Sequence, residues 1–167
     1  MSTTELPLDQ SLRAKFPLAA VEGAELIGVS VEDESQSIIE AVNRFLEPPG
    51  KKGSFGRPKS DPGIDNWNDR ALPVGALWGH TIVRHFAWQW AQLVQQGQDD
   101  TKAIAIVNED RSLAIFLFHY CFDCLENHAY PTILLAFNML EAEKIPKQPA
   151  GGFVNLMNGV RHIFPPG

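Results

Sequence analysis

The alternation of hydrophobic and polar residues predicts helices near the start and the end of the chain and a group of short strands between them. The clearest helix runs from about Ser35 to Leu46, where apolar side chains recur every three or four residues and fall on one face. Asp33, followed three residues later by Gln36, is typical of a capping box at the start of this helix. The Pro-Pro-Gly sequence at 48–50 predicts its end.

A second helix is predicted to open at Leu72-Pro73, because proline is favoured in the first turn of a helix. Its apolar period continues to about Phe86. From there the pattern alternates, and Trp88–Gln95 predicts a strand, since aromatic residues favour a pleated surface. A helix that continues to Gly97 is the competing interpretation.

Two β-like apolar runs follow, Ala103–Val107 and Leu113–Phe118. The residues between them, Asn108–Ser112, are typical of a turn, so the two runs are expected to form a hairpin. Together with the strand at 88–95 they predict an antiparallel meander.

Two more helices are expected at about His119–Asn127 and Pro131–Glu143, ahead of a Pro/Gly-rich tail at 145–167 with a short apolar patch at Phe153–Met157. The fold class is therefore predicted to be α+β, with a three-stranded or slightly larger antiparallel sheet packed against about four helices. We expect residues 1–167 to form a single domain.

Composition narrows the class of protein. The chain has 167 residues, of which 44% are hydrophobic, and a formal net charge of −6. This acidity argues against a general nucleic-acid or membrane-surface binder. Two cysteines do not make a disulfide framework, and the start of the chain lacks the apolar run of a secretory leader, so we expect a reducing, cytoplasmic location. The apolar stretches are far shorter than the roughly 20 residues that span a bilayer.

The stretch 47–71 is predicted to be a long irregular loop, rich in proline and glycine and with an excess of basic residues over 48–70. Its sequence around 50–59 superficially resembles a phosphate-binding loop, but it lacks the Gly-Lys-Ser/Thr ending and a preceding strand. A plain solvated loop is one interpretation and a surface that binds a partner is the other. The residues that would carry partner binding are Lys51, Lys52, Phe55, Arg57 and Trp67.

The segment from residue 119 to residue 128 could carry metal or thiol chemistry. It contains His119, Cys121, Cys124 and His128, which are the ligand types of a zinc site in an unusually compressed spacing. A Cys-x-x-Cys after an apolar run also fits a thioredoxin-like motif, although an acidic residue lies between the thiols and too little chain follows. Cysteines that pack as small apolar residues are the simpler interpretation, and no metal or cofactor is expected.

An aromatic pocket between the sheet and the second helix is a further expectation, lined by Trp78, Trp88 and Trp90. His80 and His85 lie on the same helix, but five positions rotate their directions apart by roughly 140°, so they are not expected to share a metal.

The chain also resembles a family of small bacterial domains of unknown function over about residues 77–140. The resemblance rests on Leu77-Trp78-Gly79 in a helix, on Trp88-x-Trp90, on the runs Ala103–Val107 and Leu113–Phe118, and on the segment Thr132–Leu140. It implies an α+β domain and carries no assigned activity or catalytic residues. The cysteine pair is not part of the shared pattern.

Motifs of the common hydrolases, zinc proteases and dinucleotide-binding enzymes do not occur in the sequence. The leading hypothesis is therefore a non-enzymatic cytoplasmic bacterial binding protein, of an immunity or accessory type, that recognises a protein partner through the 47–71 loop and the acidic N-terminal segment. A small-molecule-binding domain is the alternative, and a metal or thiol protein is the second alternative.

Overall fold

A computed structural model of the protein describes residues 2–48, 68–96 and 101–163. These residues contain both helices and a sheet, which confirms the predicted α+β class. In chain order the elements are β1 (Thr3–Leu6), α1 (Gln10–Ile27), α2 (Ser35–Leu46), α3 (Asn68–Phe86), β2 (Gln89–Gln95), β3 (Thr101–Val107), β4 (Leu113–Ile115), α4 (Leu117–Asn127), α5 (Ile133–Glu141), β5 (Val154–Asn155) and α6 (Leu156–Ile163).

The sheet is larger than predicted and is mixed. The strands lie in the order β1-β2-β3-β4-β5, with antiparallel pairing except between β4 and β5, which are parallel. The predicted meander is confirmed as β2, β3 and β4, but the prediction of an antiparallel sheet of three or slightly more strands was wrong, because the sheet has five strands and is mixed. Two terminal segments enlarge the sheet, because the N-terminal strand pairs Glu5 with Leu93 and the tail brings Val154 beside Leu113.

The structure confirms helix α2 at its predicted bounds but not the predicted capping box. The N-cap residue is Glu34, whose side chain makes no capping hydrogen bond. The Asp33 carboxylate instead accepts a hydrogen bond from the backbone N–H of Ser30 at 2.9 Å, so it closes the preceding turn.

The bounds of other elements differ from the predicted ones. Helix α3 begins at Asn68, four residues before the predicted start, so the last part of the predicted 47–71 loop is helical and Pro73 lies inside the helix. The apolar run 113–118 is divided between β4, which ends at Ile115, and α4, which begins at Leu117. The predicted tail contains β5 and α6, and α1 precedes the first predicted helix, so the described helices number six rather than about four.

The main hydrophobic core fills the space between the helices and one face of the sheet. It is built from the buried faces of α2 and α3, the inward side of α4 and α5, and the sheet residues Ile106 and Ile115. Trp78 is its largest fully buried side chain. Burial of this apolar area supplies most of the stabilisation of such a fold.

The opposite face of the sheet is curled around a second, smaller cluster of buried residues. That cluster consists of short side chains on the inner face of the three central strands, with two phenylalanines packed against it. Alanine dominates because a sheet that curls on itself leaves little room on its concave side. The cluster members are Ala91, Leu93, Ala105, Val107 and Ala114, covered by Phe116 and Phe153.

Arg111, in the turn between β3 and β4, links separate segments of the curled sheet by hydrogen bonds. Its guanidinium donates to both carboxylate oxygens of Glu5 at 3.1 and 3.2 Å, and to Gln89 Oε1 at 2.8 Å. It also donates to the backbone carbonyls of Asn108 and Glu109. One side chain thus joins strand β1, the start of β2 and the β3–β4 turn.

Candidate functional site

The five residues predicted to bind a partner are Lys51, Lys52, Phe55, Arg57 and Trp67. They lie in the segment 49–67, which is outside the described residues. The prediction that they contact a partner stays a prediction.

The three tryptophans of the predicted aromatic pocket separate into two environments. Trp78 is 1% exposed in the main core, with its ring 5.4 Å from that of Tyr120. Trp88 belongs to the same core and is 7% exposed, but with the half-buried Trp90 it also lines a surface depression, together with Val83 on α3 and Gln89 between them. Arg13 on α1 closes its remaining side.

The four candidate metal ligands point in different directions. Cys121 and Cys124 are fully buried on the core side of α4, whereas His119 and His128 are exposed. Burial raises the pKa of the Cys121 thiol well above its ordinary value, and the neighbouring Cys124 raises it further. A thiol held neutral and out of solvent is a poor nucleophile and a poor metal ligand. Within residues 2–48, 68–96 and 101–163, no group of three or more His, Cys, Asp or Glu side chains converges.

His80 and His85 diverge on α3, as their spacing predicts. His80 is half-buried, and burial together with the nearby Arg84 guanidinium lowers its pKa. His85 reaches the other way and pairs through Nε2 with Glu141 Oε1 of α5 at 2.5 Å. The rings of Phe86 and Phe137 lie against His85, so this pair ties α3 to α5 at the edge of the core.

A cleft opens where the concave face of the sheet meets α4 and the start of α6. One part of it has a volume of about 270 Å³ and an adjoining part about 160 Å³. Phe116, His119 and Asn155 line both parts, so they form one continuous surface. We call this surface the concave cleft, and its other lining residues are Leu93, Gln95, Thr101, Ala103, Tyr120, Asp123, Met157 and Asn158.

Local structure fixes the polar side chains of the concave cleft in defined orientations. Asn155 Oδ1 accepts the backbone N–H of Met157 at 3.1 Å at the start of α6, which leaves the Asn155 NH₂ group as a donor. Asp123 Oδ1 accepts a hydrogen bond from Asn127 at 2.6 Å. His119 makes no hydrogen bond or ion pair with any described residue, although it lies at the junction of the two parts.

The hydroxyl group of Tyr120 is engaged outside the cleft. It accepts the backbone N–H of Thr132 at 2.7 Å and lies 3.1 Å from the Thr132 hydroxyl. Tyr120 therefore presents its ring rather than a free hydroxyl to the cleft. The described lining offers neutral donors and acceptors, one carboxylate and the aromatic rings of Phe116 and Tyr120, which is a set suited to orienting a ligand by hydrogen bonds.

Sequence reasoning did not find the concave cleft. Gln95, Thr101, His119 and Asn155 come from four separate segments, and no periodic pattern relates them. What could have pointed to it are Ala103 and Ala105 on alternate positions of β3, because small residues along one sheet face leave space above that face.

In the described part of the chain, none of the helices combines the length and the apolar character that a bilayer-spanning helix requires. Comparison with family models, with curated proteins and with solved structures gave no match to this chain.

Proposed function

We propose that the protein binds a small, uncharged, hydrogen-bonding molecule in the concave cleft. The observation that carries the proposal is the convergence of polar side chains from separate segments on a cleft beside the ring of Phe116. Most ligand sites are largely apolar concavities with a few fixed polar groups, and their volumes run from about 300 to 1,000 Å³. The larger part of the cleft has a volume of about 270 Å³, slightly below this range, which favours a ligand of small size.

The chemistry of the lining favours an uncharged ligand. Amide groups from Gln95 and Asn155 and the hydroxyl-bearing Thr101 can each donate and accept, which suits hydroxyl or carboxamide groups on the ligand. Asp123 is the acidic member of the described lining, and its carboxylate disfavours an anion in the smaller part. Sugars, nucleosides and small carboxamides have the required combination of polar edges and a face that packs on an aromatic ring.

The same lining supports binding rather than catalysis. General base catalysis by an imidazole needs a partner that orients it and a nucleophile within hydrogen-bond reach. His119 has no such partner among the described residues, and the Tyr120 hydroxyl is engaged with Thr132. The two thiols are buried on the far side of α4.

A thermal-shift screen tests this proposal with neutral sugars, nucleosides and carboxamides as probes, each beside a phosphorylated or carboxylated counterpart. A ligand at one hundred times its Kd adds about 2.7 kcal/mol to the free energy of unfolding. For a domain of this size that corresponds to a rise in Tm of roughly 5 to 10 °C. We expect the rise with a neutral probe and a smaller one with its charged counterpart.

Two variants locate the binding. His119→Ala and Gln95→Ala remove exposed groups of the cleft, and we expect each to abolish the rise in Tm. Glu126→Ala removes an exposed side chain of the same helix outside the described lining, and it should preserve the rise. If no neutral probe raises Tm, or if hits persist in both cleft variants, the proposal is wrong.

A protein partner is the second candidate, and exposed apolar residues favour it. Four large apolar side chains that are more than two-fifths exposed lie on α1 and α3, two helices that pack against each other. Exposed apolar side chains on neighbouring helices can contribute to a protein contact surface. The four residues are Leu18, Val21, Leu26 and Leu72.

Pull-down of a specific partner tests this second function. A partner held by these helices should be lost on Leu18→Asp and retained on Glu22→Gln, a change to a neighbouring exposed residue of α1. Deleting residues 50–66 examines the predicted loop independently. Unchanged binding in both the Leu18 variant and the deletion would remove these surfaces from the explanation.

A further inference from the structure

The depression beside Trp88 and Trp90 combines an apolar wall with a free positive charge. Trp88, Trp90 and Val83 form the wall, and Arg13 and Gln89 stand at its edge. Its volume is about 260 Å³. We call it the Arg13 depression, and it shares no lining residue with the concave cleft.

The Trp90 ring of the aromatic wall is held from behind by residues of α1 and α3. The Trp90 ring stacks on Phe16 with centroids 4.0 Å apart and planes inclined by 16°. Gly79 of α3 lies so close that a Cβ placed there would come within 2.4 Å of the Trp90 ring. Trp90 is therefore clamped between α1 and α3, with part of its surface left open. A ligand would meet a preorganised surface, which reduces the entropy lost on binding.

The backbone beside the depression is held in an uncommon conformation. Ala87, which joins α3 to β2, has a φ of 59° although it is not glycine. This left-handed residue turns the chain so that Trp88 enters the core while Trp90 lies across α1 and α3. Four other non-glycine residues of the described chain share this conformation, so at Ala87 it belongs to the turn that ends α3 and does not by itself mark a binding site.

The polar edge offers N–H donors that other groups do not use. Arg13 makes no ion pair or side-chain hydrogen bond with any described residue. The Gln89 side chain accepts from Arg111 through Oε1, so its amide NH₂ group is oriented as a donor. Arg111 itself is saturated by Glu5, Gln89 and two backbone carbonyls, so it only positions Gln89.

We infer that the Arg13 depression binds an organic carboxylate whose body is aromatic or otherwise apolar. The guanidinium of Arg13 matches a carboxylate in shape and charge, and the Gln89 amide adds a neutral donor beside it. Trp88, Trp90 and Val83 would cover the apolar body. Because the net charge of the chain is −6, general electrostatics disfavours anions, and selective uptake of one requires this local cation.

The test uses phenylacetate as the probe and phenylacetamide as its uncharged counterpart of nearly the same shape. Binding is followed by the indole N–H resonances in proton–nitrogen NMR spectra of the full chain, with each tryptophan resonance assigned. We expect phenylacetate to shift the resonances of Trp88 and Trp90 saturably, and to bind at least about tenfold more tightly than phenylacetamide. The resonance of Trp78, in the core, should not follow the titration.

Two charge-removing variants on the same helix separate a site from general electrostatics. Arg13→Gln should weaken phenylacetate by about tenfold or more and leave phenylacetamide within about twofold. Lys15→Gln removes the same charge from an exposed position of α1 outside the described lining, and it should leave both affinities within about twofold. Because both side chains are exposed, neither change is expected to disturb folding.

Three outcomes would overturn the inference. They are the absence of a saturable shift at Trp88 and Trp90, equal affinities for the acid and the amide, and equal losses in the Arg13 and Lys15 variants. His119→Ala, which alters the concave cleft, should leave phenylacetate binding unchanged. Failure of the cleft proposal and failure of this one are therefore distinguishable.

Discussion

Gly23 is the residue at which adding a single methyl group should be least tolerated. It lies in α1 where that helix meets α3, and a Cβ built on it would be 2.2 Å from the carbonyl oxygen of Pro73 and 2.7 Å from the carbonyl carbon. The next atom, Leu77 Cβ, would be 3.2 Å away. Because the nearest atoms belong to the backbone, no change of rotamer relieves the contact, and Gly23→Ala must push the two helices apart.

Two opposing terms set the expected size of the effect. Alanine is favoured over glycine in a helix interior by about 1 kcal/mol. Overpacking a close contact costs about 1 to 3 kcal/mol, and a backbone obstacle places this change at the upper end of that range. A gap of about 1 Å between the helices would also forfeit up to roughly half of the dispersion energy of the atoms facing it. We therefore expect Gly23→Ala to lower the free energy of unfolding by about 2 kcal/mol.

Urea unfolding, followed by tryptophan fluorescence, measures this change, and thermal unfolding followed by circular dichroism provides a second value. A loss of about 2 kcal/mol should lower Tm by roughly 4 to 8 °C. The matched control is Gly159→Ala in α6, where a Cβ would meet no atom within 4 Å. This control keeps the gain in helix propensity without the clash, so it should raise stability by about 0.5 to 1 kcal/mol.

The opposite signs of the two glycine changes are the decisive result. If Gly23→Ala stabilised the protein as Gly159→Ala is expected to do, α1 and α3 would not approach each other as closely as the structure has them. A loss confined to the denaturant m-value, with an unchanged midpoint, would likewise contradict an effect on the native helix contact.

Three further predictions concern single charged, thiol or imidazole groups. Arg111→Ala should lower the free energy of unfolding by about 1 to 2 kcal/mol in urea and Arg111→Lys should recover little of it, because an ammonium group cannot make the bidentate contact. Cys121 and Cys124 should resist a thiol-specific reagent until the chain unfolds, because both are buried. Burial also raises the pKa of Cys121, so the free energy of unfolding should fall as the pH rises beyond about 8.5, where the thiol of the unfolded chain ionises. The lowered pKa of His80 predicts that stability falls as the pH drops below about 6.5, since the unfolded chain takes up the proton first, and His80→Gln should remove that part of the pH dependence.

Each of these has an outcome that contradicts it. Full recovery by lysine at position 111 would mean that charge alone, rather than the two-pronged hydrogen bonding, joins β1 to the turn. Rapid labelling of both thiols in the native protein would place α4 in a different orientation. An unchanged acid limb in the His80→Gln variant, measured by urea midpoints between pH 5 and pH 8, would assign that limb to other groups.

The elements that were predictable from the sequence are those with a local cause. Helix α2 has one apolar face, and the strand at 88–95 alternates, so both are confirmed from their periods alone. The turn between β3 and β4 was predictable from its residue types, and Asn108 accounts for this in detail. Its side-chain oxygen accepts the Leu113 N–H at 2.9 Å while its NH₂ donates to Ser112 at 2.8 Å.

The elements that were missed depend on distant partners. Helix α1 contains Pro17 and Gly23 and leaves Leu18 exposed, so its apolar residues do not form a clean stripe. Gly23 is explained by the carbonyl of Pro73, fifty positions away, and no local pattern contains that information. The apolar run 113–118 is ambiguous for a related reason, because a short continuous run fits a buried strand and the start of a buried helix equally well.

The concave cleft also depends on residues that are far apart in the sequence. The two faces of the sheet carry side chains of different size, with Trp90 and Ile106 toward the helices and Ala91 and Ala105 on the concave side. Bulk on the outer face and small residues on the inner face allow the strands to curl, and the contact between Arg111 and Glu5 ties the β3–β4 turn to the edge strand β1.

The filling of the concave face changes along its length. At one end it is closed by Phe153 and by the contact between Arg111 and Glu5. At the other end, beyond Leu93, the inward positions of the sheet are Gln95 and Thr101, and the space between these strands and α4 remains open. At these two positions the side chains are polar and exposed to solvent, whereas the corresponding positions nearer the middle of the sheet are apolar and buried. Polar side chains at positions that line an open cleft are what the proposed ligand site requires.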